Sequence, residues 1–343
     1  MTTQQRVLVT GGSGFIAGHC ILKLLDEGYL VRTTMRSLDR EAQLRSVLSQ
    51  AGHEPGDALT VVAADLESDA GWAEAVAGCD HVLHVASPLP HGIPDNEDDV
   101  IRPAREGALR VLRAARDAGI KRVVLTSAFG AIGFGYGRTD HRFTEDDWSI
   151  LDGPGINAYN KSKTFAERAA WDFVATEGGG MELVSINPVA VFGPLLSRSV
   201  SGGNDVVRRM LAGELPGFPD FWFPIVDVRD VAAAHVLAMT TPEAAGKRFI
   251  IGSGEGLTMK QIGLLLRDRL GAKANKVPTR SIPTFVLRVA ARFNPGIAEI
   301  APMLGITKNI STDLATGVLG LKTRSPKEAV LATAESMFDR GVV

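Results

Sequence analysis

The sequence predicts an α/β protein: a doubly wound parallel sheet with a small, mostly helical C-terminal region. Three observations carry this. Short β-rich runs alternate with helical patterns up to about residue 190. Most of those runs are continuously apolar, as expected of strands covered on both faces. The first run leads through glycines directly into a helical pattern.

The elements follow in order. The first strand is RVLVT, residues 6–10. From Phe15 to Glu27, helical spacing sets Ile16, Cys20, Ile21, Leu24 and Leu25 on one stripe, and Gly28 stops it. YLVRTTM (29–35), ALTVVAAD (58–65) and HVLHVA (81–86) are the next three strands. Ile101 to Ala118 is helical through Val111, Leu112 and Ala115, and ends at Gly119. RVVLTS (122–127), ELVSIN (182–187) and RFIIG (248–252) complete seven strands, with a long amphipathic helix beginning near Asn157. After residue 190 the rhythm weakens into the Gly/Pro-rich loops FGPLLSRSVSGGND and GELPGFPDFWFP. Helical patterns near 258–270, 283–293 and 326–340 follow them. We therefore divide the chain into a sheet domain, residues 1–190 with 222–252, and a smaller region, residues 191–221 with 253–343.

Composition narrows the function. The 343 residues are 45% hydrophobic and 22% charged, with a formal charge of −2. Without a basic excess, nucleic acid and anionic membranes are not expected partners. Cys20 and Cys79 lie outside any CxxC, so neither a disulfide framework nor a thiolate metal site is expected. The N-terminus MTTQQRVLVTGG has no signal-peptide pattern, and no apolar run reaches transmembrane length. A cytoplasmic protein is expected.

The first chemical signal is RVLVTGGSGFIAGH. Gly12, Gly14 and Ala17 fit G-x-G-x-x-G/A, and Gly11, Gly14 and Ala17 give the longer spacing. Such glycines allow a tight turn and close backbone approach, and the helix beginning at Phe15 and Ile16 offers free N–H groups to a pyrophosphate. A ligand-free glycine turn is the plain alternative; the strand–turn–helix context disfavours it. The second strand chooses between dinucleotides. An NAD site usually carries an acid at this strand end; here TTMRSLDR presents Arg36 first, with Arg40 nearby and Asp39 only later. Guanidinium groups suit the additional phosphate of NADP(H), although any single Arg is more often a solvated surface charge. Asp65 and Leu66 end the third strand, and Ala86, Ser87 and Pro88 the fourth, at the edge where ligands bind in such sheets.

The second signal is NAYNKSKTFAERAAWDF, where Tyr159 and Lys163 stand four apart and share one helix face. A free Tyr titrates near 10, and bringing it to about 7 takes roughly 4 kcal/mol. A unit charge at ~4 Å supplies about that at an effective dielectric near 20. Lys163 can therefore tune Tyr159 into a proton donor for a carbonyl oxygen. Two unrelated surface residues are the plain alternative.

These stretches, with HVASP, RVVLTSA, NPVAVFGP and VDVRDVAAAH, occur in an order that resembles the extended short-chain dehydrogenases/reductases. They are most similar to the dihydroflavonol-reductase-like branch, with its NADPH-dependent aldehyde, ketone and methylglyoxal reductases. The likeness runs from about residue 5 to LGLKTRSPKEAV. It implies a Rossmann-type sheet carrying NADP(H), and a C-terminal region that binds a small-molecule carbonyl substrate. It further implies Tyr159 as catalytic acid, Lys163 as its partner, Arg36 and Arg40 as readers of the 2′-phosphate, and Pro188 and Val189 beside the nicotinamide amide. One departure stands out: the family usually reads Thr-Ser-Ser at the fifth strand end, whereas this chain reads Thr126-Ser127-Ala128. Ser127 is the first candidate for the missing hydroxyl, and Thr126 the second.

Other signals carry less. His81 and His84 lie three apart on a strand and point to opposite faces, so packing explains them better than metal. FTEDDWS is expected to be a turn with acids in the first turn of a helix. Asp227, Arg229 and Asp230 are expected to form a buried network between the sheet and the C-terminal part. Phe129, Phe134, Tyr136, Phe192, Phe218, Phe221 and Trp222 fall in loops near the site, where each is more often packing than substrate contact. The expected activity is NADPH-dependent carbonyl reduction by a monomer or homodimer. Its rivals are a sugar-nucleotide epimerase or dehydratase and a non-catalytic NADP sensor. TSAFG lacks the acids a dehydratase needs.

Overall fold

In the computed structural model, which describes residues 4–88, 92 and 94–343, every predicted sheet strand is present. Residues 1–3 of the expected sheet domain, with 89–91 and 93, lie outside the described residues. The first half runs β1 Arg6–Val9, α1 Phe15–Asp26, β2 Leu30–Met35, α2 Glu41–Gln50, β3 Leu59–Ala63, α3 Trp72–Val76, β4 His81–His84, α4 Asp98–Asp117 and β5 Arg122–Thr126. It continues with β6 Arg142–Phe143, α5 Ala158–Glu177, β7 Glu182–Pro188, β8 Ala190–Phe192, α6 Gly203–Ala212, β9 Trp222–Asp227, α7 Val228–Thr240 and β10 Arg248–Ile251. The last part is β11 Gly256–Thr258, α8 Met259–Leu270, α9 Thr284–Ala290, α10 Pro295–Ile300, β12 Asn309–Ile310, α11 Asp313–Leu319 and α12 Pro326–Asp339.

Seven parallel strands form one sheet in the order β10-β7-β5-β4-β1-β2-β3. Every strand therefore ends at the same edge. The connections reverse direction between β1 and β4, which opens the crevice where doubly wound sheets bind ligands. Apolar faces cover the sheet on both sides. Ile21 and Leu24 of α1 pack with Val231 and Val236 of α7 on one side. On the other, Leu109 and Leu112 of α4 pack with Ala170 and Phe173 of α5. Ala104, Ala108 and Ala166 let α4 and α5 approach closely.

The C-terminal region has its own core, in which Phe192, Val207, Met210, Phe218, Ile262 and Met337 are buried together. It is mostly helical, and a small sheet, β11-β9-β8, runs between it and the sheet domain. β8 and β11, three residues each, and β9, which starts inside a Pro- and aromatic-rich stretch, give too weak a pattern for the sequence to reveal. Capping boxes start α8 (Thr258 and Gln261) and α12 (Ser325 and Glu328). The predicted acidic network ties the two parts together. Asp227 caps α7, accepting from the Arg229 N–H at 2.8 Å and pairing with its guanidinium at 2.7 Å. Asp230 accepts from the backbone N–H of Arg324 at 2.6 Å and pairs with its side chain, just before α12.

FTEDDWS differs from expectation: it is a turn, and no helix begins there. Two of its acids accept from backbone N–H groups. Glu145 accepts from the Ile250 N–H of β10 at 3.0 Å, and Asp147 from the Thr144 N–H at 2.8 Å. No helix among the described residues is long and apolar enough to cross a membrane.

Candidate active site

The glycine turn is built for close approach. Gly11 has φ +74, and a Cβ there would lie 2.9 Å from the Ala86 side chain. A Cβ on Gly12 would strike Thr33 Oγ1 at 2.4 Å. Threonines on β2 hold the turn: Gly11 N–H donates to Thr34 Oγ1 at 3.0 Å and Gly12 N–H to the Thr34 carbonyl at 3.0 Å. Gly14 is the N-cap of α1 and brings no side-chain cap, and the first intrahelical bond is Gly18 N–H to Gly14 O at 2.9 Å. The N–H groups of Phe15 and Ile16 thus keep no helical partner and face the strand-end edge. This cradle fits a dinucleotide pyrophosphate, because backbone donors converge where no side chain can intrude.

Thr10, just after β1, organises the neighbouring strand end. Its Oγ1 accepts from Val85 N–H (3.0 Å) and Ala86 N–H (2.9 Å) and lies 2.9 Å from His84 Nδ1. With both lone pairs taken, the hydroxyl proton goes to His84. Burial pushes His84 down to about 3, so the ring is neutral. The histidine is structural: it orients the Thr10 hydroxyl, which holds Val85 and Ala86 beside the turn. Further out, Asp65 Oδ1 accepts from Glu67 N–H at 3.0 Å, and Leu66 packs against Gly107 of α4. Arg36 and Arg40 are exposed after β2. Asp39 is occupied within its own turn, accepting from Ser37 Oγ at 2.9 Å, and no carboxylate lies within 4 Å of Arg36 among the described residues. Pro188 ends β7, and Val189 N–H donates to Ile251 O at 3.0 Å.

Tyr159 sits in the first turn of α5, which Asn157 caps by accepting from Asn160 N–H at 3.0 Å. Lys163 is buried one turn on, its Nζ 5.9 Å from the Tyr159 ring centroid and 3.4 Å from the Thr126 carbonyl that accepts from it. Electrostatics differ from the sequence arithmetic. Burial pushes the Tyr159 phenol up to about 12, and burial, opposed by the Glu167 charge, brings the Lys163 amine down to about 8. Desolvation dominates for both groups, and the ammonium lies over the ring with its hydrogen bond directed to the Thr126 carbonyl.

Both candidates for the missing hydroxyl have partners of their own in this structure. His235 Nδ1 faces the Val231 carbonyl at 2.7 Å and must carry the proton there, so its Nε2 accepts from Thr126 Oγ1 at 2.7 Å. Ser127 Oγ donates to the Glu167 carboxylate at 2.6 Å. Ala128 is buried and has no hydroxyl to offer. Glu167 is a site residue that the sequence reading missed. It is fully buried one turn beyond Lys163, and also accepts from Asn187 Nδ2 at 2.8 Å and pairs with Arg248 at 2.6 Å. Its one sequence signal was the repeat of the four-residue spacing: Tyr159, Lys163, Glu167. His84, Ser87, Thr126, Ser127, Lys163 and Glu167 line one crevice at the strand ends. Of the aromatic candidates, Phe129, Phe192 and Phe218 are buried in the core.

The family model described as NAD dependent epimerase/dehydratase family matches residues 7–252. Ketoreductase azaE of Aspergillus niger is 34% identical over 302 residues, covering 81% of this chain and 86% of that protein. Cinnamoyl-CoA reductase 1 of Petunia hybrida is 37% identical over 248 residues, 71% of each chain. The crystal structure of yeast methylglyoxal/isovaleraldehyde reductase Gre2 complexed with NADPH superimposes with a TM-score of 0.79 at 27% identity, covering 99% of this chain and 100% of that one.

Proposed function

Because this chain belongs to the NAD dependent epimerase/dehydratase family, the extended short-chain dehydrogenases/reductases, we propose that it reduces the carbonyl group of a small aldehyde or ketone to an alcohol with NADPH. It is an NADP-dependent oxidoreductase. The observation that carries the reading is the placement of Tyr159 and Lys163 at the strand-end edge, beside a glycine cradle that only backbone donors line.

NADPH, when bound, supplies the hydride. The residues of the chain do the rest. Gly11, Gly14 and the N–H groups of Phe15 and Ile16 hold the pyrophosphate. Arg36, with Arg40, reads the 2′-phosphate; Asp65, Leu66, Ala86 and Ser87 flank the adenine side; Pro188 and Val189 flank the nicotinamide. Tyr159 protonates the carbonyl oxygen. A phenol pushed up to about 12 stays protonated, and so is always loaded as an acid. The cost falls afterwards, on the buried phenolate, and the Lys163 ammonium offsets it. Ser127 and Thr126 anchor the end of β5 through Glu167 and His235. We assign nucleotide binding to residues 1–190 with 222–252 and substrate binding to 191–221 with 253–343. The free thiols of Cys20 and Cys79 suit the cytoplasm.

The test is cofactor oxidation over a panel of aryl ketones, α-dicarbonyls and aliphatic aldehydes, with NADPH beside NADH. NADPH is expected to be oxidised faster. Arg36→Ala is expected to raise KM for NADPH about 10–100-fold, the worth of one charge-assisted hydrogen bond, while KM for NADH moves about twofold or less. Equal effects on both cofactors would remove Arg36 from the 2′-phosphate site.

A further inference from the structure

Glu167 is the best-satisfied carboxylate near the reaction centre, and nothing in the proposed chemistry uses it directly. Arg248, Ser127 and Asn187 approach it from β10, the end of β5 and the end of β7. Trp171 adds a fourth donor at 3.4 Å, from one turn further along α5. Arg248 is itself fixed, donating to the Glu145 and Asp147 carbonyls at 2.7 and 2.8 Å and stacking on Trp148. The carboxylate therefore cannot swing, and it sits on the helix face that carries Lys163. It makes no direct ion pair with Lys163, whose nearest polar partner is the Thr126 carbonyl.

Resting on the reductase reading above, we propose that Glu167 is a positioning residue: a rigid, buried negative charge that keeps the Lys163 ammonium charged and in place, and acts on Tyr159 through it. Other groups facing Lys163 cannot take this part. On α5 there is Tyr159, neutral as a phenol. From β4 comes His84, held neutral. From β5 comes the Thr126 carbonyl, and just after it Ser127, whose hydroxyl is uncharged and donates to Glu167; after β4 come Ala86 and Ser87. The α4 side contributes Ala104 and Ala108. Arg248 lies behind the carboxylate. Burial opposes the charge on Glu167, yet Arg248 and the donated hydrogen bonds hold it below the usual carboxylate range, so it is ionised wherever the enzyme works. Lys163 is brought down to about 8 even with this neighbour present. Removing the negative charge takes it lower, and reduction then fails at a lower pH.

The experiment is the pH profile of kcat/KM for NADPH-dependent reduction. In the wild type the alkaline limb is expected near pH 8. In E167Q it is expected about one to two units lower, the effect of one unit charge across a helix turn in a buried site. A purely structural role would lower the melting temperature and leave the limb in place, which overturns the proposal. Because E167Q strands the Arg248 charge, E167Q/R248M is made beside it. The neutral pair restores folding, and the limb must still move down. A folded double variant with an unmoved limb also overturns the proposal. The same shift is read without turnover by competitive acylation of the Lys163 amine across pH, in wild type and both variants. Wild-type inertness on every carbonyl would sink the reductase reading alone, while the acylation profile would still decide the role of Glu167.

Discussion

Tyr159→Phe is expected to lower kcat/KM for NADPH-dependent reduction by about 10²–10⁴-fold, the usual contribution of a positioned general acid. The substitution keeps the ring against which Lys163 sits, with its Nζ 5.9 Å from the centroid, and removes only the hydroxyl. Packing and cofactor affinity should therefore persist, and NADPH binding followed by fluorescence is the control. Proton transfer then becomes the slow event. Solvent isotope effects on the residual rate should rise, because water must replace a donor that was already in place. The loss should be similar across substrates that differ in size but share a carbonyl, since the missing group touches the reacting oxygen and nothing else. A Phe variant within about threefold of wild type would remove Tyr159 from the chemistry. Wild type and variant equally inert, with NADP still bound, would point instead to a sensor or to an epimerase with a narrow substrate.

The parts of this site that were legible in the sequence are those written locally. The glycine turn needs only its neighbours: strand, positive-φ Gly11, helix start. The sheet strands announced themselves because burial on both faces forces apolar runs, and Tyr159 and Lys163 because a helix puts residues four apart side by side. The rest depends on partners distant in sequence. Thr126 meets His235 at a separation of 109 residues, Ser127 meets Glu167 at 40, and Arg248 meets Glu167 at 81. No local pattern says that a hydroxyl is already spent. That is why the partners of Ser127 and Thr126, and the place of Glu167 among them, were not legible. The Tyr159 shift was missed for a related reason: the arithmetic counted a neighbouring charge, while the desolvation that dominates comes from the whole fold.

Arg248→Met is expected to be the most destabilising of these substitutions, costing about 3–5 kcal/mol of unfolding free energy at pH 7. The reason is the charge left behind. Glu167 is fully buried, and among the described residues Arg248 is the one cation in direct contact with it, at 2.6 Å. Ser127 and Asn187 would still donate to the carboxylate, which keeps the loss at the level of one broken pair. The cost should depend on pH, and its sign follows from linkage. In the wild type Glu167 titrates below its unfolded value, so its contribution is present above the unfolded pKa and is lost as pH falls through the folded one. In the variant, burial without Arg248 raises the folded pKa instead. The carboxyl then takes up a proton more readily folded than unfolded, and acid relieves the penalty. Wild-type stability falls toward acid while the deficit of the variant shrinks, so their denaturant midpoints should converge below about pH 5. A gap that stays constant from pH 7 to 4 would mean that Arg248 stabilises β10 through its stacking on Trp148, at 3.7 Å, and its bonds to the Glu145 and Asp147 carbonyls, rather than through the charge of Glu167. Convergence would instead establish that the residue beneath Lys163 is an anion by virtue of Arg248, so that a β10 side chain with no substrate contact sets the charge state from which the reaction starts.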